Sequence, residues 1–245
     1  MHLLPLFLLL SLLAEIAGTI GGFGSSLFFV PIANFFLDFK SVLGITALFH
    51  LASNISKIAL FRKGFDKKMV LRMGIPAILF VIIGALGSRF FKKEYLEIAL
   101  AVFLLAISLL FLIRRNLTIK PTRKNSVMGG AMSGFLAGIL GTGGAIRGIT
   151  MVAFNLEKSV FVATSAIIDL GIDLTRSVVY FFNGYMHKDD LYLIPLLVIV
   201  SIVGTYLGKL LLAKIPQEKF RILVLALIGW IGLATLFKTI LSFYR

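Results

Sequence analysis

Ionisable and amide side chains stand in otherwise apolar stretches of this sequence, at spacings that can do chemistry. His50, Asn54 and Lys57 fall at i, i+4 and i+7, and Asp169, Asp173 and Arg176 repeat that spacing, so each trio shares one helical face. Arg147 stands among Ile146, Ile149 and Met151. Exposing such a group to lipid costs about 2.5 kcal/mol or more, which makes each a functional candidate. Arg147 cannot shed its charge and must find an anion. That anion is either a permanent partner, Asp169 or Asp173, or an anionic substrate for which those carboxylates are the resting partners. An unperturbed imidazole titrates near neutrality and a buried carboxylate can be driven toward its neutral form, so His50, Asp169 or Asp173 is a candidate to exchange a proton. Lys57 and Arg176 lie nearer helix ends, where reaching out to the interface competes with charge pairing inside.

Two glycine-rich stretches must position these groups. Gly21, Gly22 and Gly24 with Ser25 and Ser26 interrupt an apolar run from Leu3 to Phe36, and Gly141, Thr142, Gly143 and Gly144 interrupt Met128 to Asn155. Glycines weaken helices and leave backbone N–H groups unpaired, which is tolerated at membrane depth only under cover of protein or a watery cavity. Free N–H groups at a helix start bind anions. With Thr46, Thr164 and Ser165 nearby in the helices that follow, the two breaks are expected to form a substrate floor.

Composition sets the class. The 245 residues are 59% hydrophobic and 15% charged, with mean hydropathy +1.01, against roughly 45–50% apolar and 25% charged in soluble domains. Apolar runs near 20 residues recur, the length that spans a bilayer as a helix. The expectation is an all-α polytopic membrane protein with the bilayer as partner, multi-pass in the cell inner membrane. Its net charge of +14 sits mostly in short connections, as for cytoplasmic loops, and without a basic binding face it does not indicate nucleic acid. Absence of cysteine excludes disulfides, thiol catalysis and Cys metal sites. No cofactor or metal is implied. No Lys or Arg precedes the first apolar stretch and no clean small-x-small site follows it, so it reads as a membrane segment rather than a leader.

Further helices are expected over Val42–Phe61, Met69–Phe91, Tyr95–Ile113, Val160–Phe182, Leu191–Ala213 and Phe220–Phe237. Gly84, Gly87 and Ser88 suit close helix packing. Lys40-Ser41-Val42 matches Lys158-Ser159-Val160, and Thr46, Lys57, Gly64 and Gly84 match Thr164, Arg176, Gly184 and Gly204. The chain therefore divides into repeats over 1–113 and 127–245, each of about four membrane segments with the first one broken, joined by a basic cytoplasmic linker over 114–126. If the broken segments dip and return, the repeats are inverted and the basic loops share one face; if they span, the repeats run parallel. As one straight helix, Leu3 to Phe36 would reach about 50 Å, which favours dipping.

The breaks, the Lys-Ser-Val motif, Thr46, Thr164-Ser165, Gly84-Ala85-Leu86-Gly87-Ser88-Arg89 and Gly204-Thr205-Tyr206-Leu207-Gly208-Lys209 together resemble the sulfite exporter TauE/SafE family over about Ala14 to Phe237. The resemblance implies a duplicated permease for sulfite, sulfonates or related small organic anions, coupled to protons. The sequence departs from the family pattern at Arg147 and at Met151, where the first break has Pro31, and His50, Asp169 and Asp173 are not carried over from it.

The leading expectation is a secondary anion transporter, since no nucleotide-binding loop is visible. One alternative is an intramembrane hydrolase using Asp169 with Asp173, or Ser25 with His50. Against it, the aspartates lie side by side on one helix and no third group orienting either serine is evident. A non-transporting membrane scaffold is the other alternative, and it leaves the paired breaks unexplained.

Overall fold

The computed structural model describes residues 3–22, 24–113, 119–212, 214, 233, 236–237 and 241, and every regular element among them is helical. Nearly all of Phe220–Phe237, and residues 114–118 of the linker, lie outside the described residues.

Helix α1 (Leu4–Gly21) ends where Gly22 adopts the left-handed conformation, φ 70°, and its N–H donates to the Gly18 carbonyl, a glycine cap that side chains rarely supply. Helix α2 (Ser26–Ala33) then runs back along α1. A Cβ on Gly18 would fall 2.3 Å from Ser25 backbone, while Phe7 packs on Phe29 and Phe36 with ring centroids 6.0 and 5.3 Å apart. The same construction recurs in α7 (Arg123–Leu140), which ends at Gly141 with φ 77°, and α8 (Gly144–Val152). There Gly143 returns against Ser133, and Thr150 against Gly129.

The remaining helices are long. Helix α3 (Phe39–Leu60) begins three residues before the expected Val42, because the Asp38 carboxylate caps it by accepting the Lys40 N–H at 3.0 Å. Helices α4 (Lys67–Met69) and α5 (Ile75–Ser88) join through a π-helical turn, Val70–Gly74, into one span. Pro76 has no N–H for the Arg72 carbonyl, and the wider turn accommodates that loss. This span stops at Ser88 rather than Phe91. Helices α6 (Lys93–Ile113), α9 (Lys158–Phe182) and α10 (Leu193–Leu212) complete the described set.

Each hairpin packs on a long helix from the other half of the chain: α1 on α10, and α7 on α5, with α3 lying between α9 and α10. Close approach is built from small residues. Cβ atoms on Gly130, Gly134 and Gly138 would stand 2.2, 2.0 and 2.4 Å from the carbonyl oxygens of Met73, Ala77 and Val81. Gly204 and Gly208 of α10 likewise admit Glu15 and Thr19. Gly84 approaches the Phe135 carbonyl as its spacing suggests, but a Cβ on Gly87 would meet nothing within 4 Å among the described residues.

Among the described residues, four helices are long and apolar enough to cross a membrane: Leu4–Gly21, Phe39–Leu60, Lys67–Ser88 and Leu193–Leu212. Leu13, Leu79, Ile83, Leu174 and Ile199 point outward from them and from α9, each more than half exposed, as lipid-facing side chains do. The Lys63–Glu157 ion pair, 2.6 Å, ties the loop after α3 to the start of α9, whereas Lys40 lies over the Tyr185 ring, 5.5 Å from its centroid, at the opposite end of α3. The 22 residues of α3 separate these ends by about 33 Å.

Candidate functional site

The inner faces of α1, α3, α8, α9 and α10 enclose a cluster in which every buried carboxylate has a cation. Glu15, from α1, is fully buried. Its Oε1 accepts from Ser53 at 2.6 Å, Thr205 at 2.9 Å, Thr19 at 3.3 Å and the Lys57 ammonium at 2.9 Å. Its Oε2 accepts the Ser25 hydroxyl at 2.5 Å. Lys57 also donates to Ser53 at 2.6 Å. Ser25 Oγ lies 3.2 Å from His50 Nε2. Because the single Ser25 proton is given to Glu15, the serine accepts from His50 Nε2–H.

Asp173 Oδ1 takes Arg176 Nε and Nη2, both at 2.7 Å, and its Oδ2 accepts Asn54 Nδ2 at 2.7 Å. Arg176 Nη1 turns back to the carbonyls of Gly141 and Ala137, 2.8 and 3.2 Å, and the Tyr180 hydroxyl donates to Gly138 O at 2.6 Å. The end of α7 is thus closed by a cation and a hydroxyl, which suits the negative pole of a helix. Neither Lys57 nor Arg176 reaches for an interface; both turn inward and are buried.

Arg147 Nε donates to Ser165 at 2.9 Å and Nη1 pairs with Asp169. Its Nη2 is buried with no hydrogen-bond partner among the described residues. That nitrogen points at the first break, 3.4 Å from where a Gly24 Cβ would be. Beside it lies a recess lined by Gly22, Gly24, Asn54, Lys57, Ser165 and Asp169, with room for about one water. Gly21 and Ser26 flank it at the ends of α1 and α2.

Other expected residues lie elsewhere. Thr46 donates to Val42 O within α3, and Thr164 donates to Val160 O while accepting the Asp66 N–H. Neither lines the recess. Gly141, Thr142, Gly143 and Gly144 are buried in helix packing, with Gly141 against Leu43 and Val30. The second break therefore contributes Arg147, one turn into α8, rather than its own backbone. Glu15 was not singled out from the sequence, nor were its ligands Ser53 and Thr205. The signal was available, since Glu15 is a lone acid inside the apolar stretch Leu4–Gly21, but its ligands come from positions far apart in the chain.

The hydrolase constellations fare poorly on geometry. Glu15 supplies the third group beside Ser25 and His50, yet it binds the serine and not the imidazole, so it cannot orient a base toward a nucleophile as a triad acid does. Asp169 and Asp173 are committed to different arginines.

Apolar helices around a balanced set of buried ion pairs, two of them interrupted and folded back, define a multi-pass membrane protein with a polar interior site. Residues 7–235 match the description of the sulfite exporter TauE/SafE family, and the chain belongs to that family of membrane transporters. A probable membrane transporter protein of Methanocaldococcus jannaschii is 26% identical over 254 aligned positions, covering 94% of each chain. No solved structure matches.

Proposed function

We propose that this permease is a secondary transporter that moves a small anion, such as sulfite, a sulfonate or a related organic anion, across the cell inner membrane, driven by an ion gradient. The observation that carries this reading is Arg147 Nη2, a buried guanidinium donor without a partner among the described residues, beside the Lys57-lined recess. An unpaired charged donor in a buried site is costly, and a bound oxyanion oxygen would satisfy it in charge-assisted geometry. Asp169 is then the resting partner that the anion competes with.

The halves form an inverted duplication in this reading. Gly22 and Gly141, His50 and Asp169, Asn54 and Asp173, and Lys57 and Arg176 are each separated by the same interval. Both breaks return as hairpins, and α1 on α10 mirrors α7 on α5. Arg62, Lys63, Lys67, Lys68 and Lys158 then share the cytoplasmic face, toward which the recess lies. Rocking of the halves would expose it alternately.

Arg147→Gln tests the assignment. Reconstituted at normal yield, it is expected to lose transport of sulfite or sulfoacetate by at least ~100-fold, in keeping with about 3 kcal/mol for a buried charge-assisted contact. Wild-type rates would remove Arg147 from the site.

A further inference from the structure

We propose that Glu15 is the residue that takes up the coupling proton, delivered from His50 through Ser25. The inference rests on the anion-transport reading and deepens it. Lys57 has two faces: it lines the recess and, among the described residues, is the only cation bonded to Glu15. An anion entering the recess competes for that ammonium. The other donors to Glu15, namely Thr19, Ser25, Ser53 and Thr205, are neutral hydroxyls. Glu15 has no exposed side-chain surface, whereas Asp169 is 16% exposed and lines the recess. Asp169 can be hydrated when displaced from Arg147. Glu15 cannot, and a buried carboxylate without its cation is strongly disfavoured relative to its protonated form.

A path for that proton is already connected. Ser25 Oγ lies 3.2 Å from His50 Nε2 and 2.5 Å from Glu15 Oε2. A proton arriving at His50 Nδ1 makes the imidazolium. Nε2–H then passes to Ser25 Oγ as the Ser25 hydroxyl proton passes to Glu15 Oε2. His50 is left neutral with its proton on Nδ1, Ser25 is unchanged, and Glu15 is a carboxylic acid. Lys57 is thereby free to face the anion. The charged groups around this path are Lys57 on α3, Arg147 on α8 and Asp169, Asp173 and Arg176 on α9, while α10 presents Thr205. Anion entry and proton uptake are linked because both draw on Lys57.

The test uses the full chain in proteoliposomes with labelled sulfite and sulfoacetate as probes. Accumulation driven by a pH gradient is compared with counterflow exchange at equal pH. Wild type is expected to accumulate anion with an inward proton gradient and not with a sodium gradient. Glu15→Gln is expected to lower the ratio of accumulation to exchange at least ~10-fold. Ser25→Ala, which leaves every charge in place, is expected to lower the same ratio, with recovery in Ser25→Thr. A structural role alone would reduce both activities together and leave the ratio unchanged, which would overturn the proposal, as would sodium-driven accumulation. If wild type exchanges neither anion, the anion-transport reading falls and this inference with it. If wild type is proton-coupled and Glu15→Gln remains so, only this inference falls.

Discussion

Arg147 and Asp169 show how a residue can be legible in type and illegible in role. An arginine between isoleucines announces itself in the sequence, and Asp169 was one of two partners offered for it. The unpartnered Nη2 beside Gly24 could not be read, because it depends on how α8 meets a break more than 120 residues earlier. The two carboxylates on α9 separate for the same reason: Asp169 meets Arg147, while Asp173 is held by Arg176 and Asn54. If Asp169 is the group the anion displaces, Asp169→Asn removes a competitor. The expected result is tighter anion binding, with apparent affinity raised several-fold, and slower release, measured as a lower KM and a lower maximal rate. Weaker binding would show instead that Asp169 helps hold the substrate.

At the scale of elements, helix types and breaks follow closely from local chemistry. Apolar length and glycine clusters mark where helices start and stop within a few residues, whereas the Asp38 cap that starts α3 three residues early was not read from the sequence. What the glycines do is set by neighbours. Gly130, Gly134 and Gly138 form an i, i+4 stripe on α7 that lets α5 and the π turn approach to carbonyl contact. A side chain there has no room to turn, because the obstacle is backbone. Gly134→Val is expected to cost upward of ~1–3 kcal/mol through overpacking and to lower the thermal midpoint and yield of purified protein. Gly87→Ala, at a position with nothing within 4 Å among the described residues, should leave both unchanged. Equal behaviour of the two variants would contradict this account of the α5 and α7 contact.

For the whole molecule, the sequence indicated a membrane protein from composition alone and two halves from matched polar positions. The length of the first broken run favoured breaks that return over breaks that span, without showing what each break packs against. That choice depends on tertiary contacts such as Phe7 with Phe36 and Thr150 with Gly129, which join residues whose apolar character is the same in either topology. The folded arrangement puts Lys40 and Lys158 at opposite ends of the bundle. Single cysteines at these positions are expected to label from opposite sides of intact cells, Lys158→Cys only after permeabilisation. Labelling of both from one side would overturn the inverted arrangement.

In the proposed mechanism a buried polar cluster around Arg147, Glu15 and Lys57 moves a small anion together with an ion. Proton flux measured in proteoliposomes on addition of sulfite or sulfoacetate tests it most directly. Wild type should take up protons in step with the anion, alkalinising the medium, and Arg147→Gln should abolish both signals. Anion-independent proton movement, or equal flux in Arg147→Gln, would contradict the account.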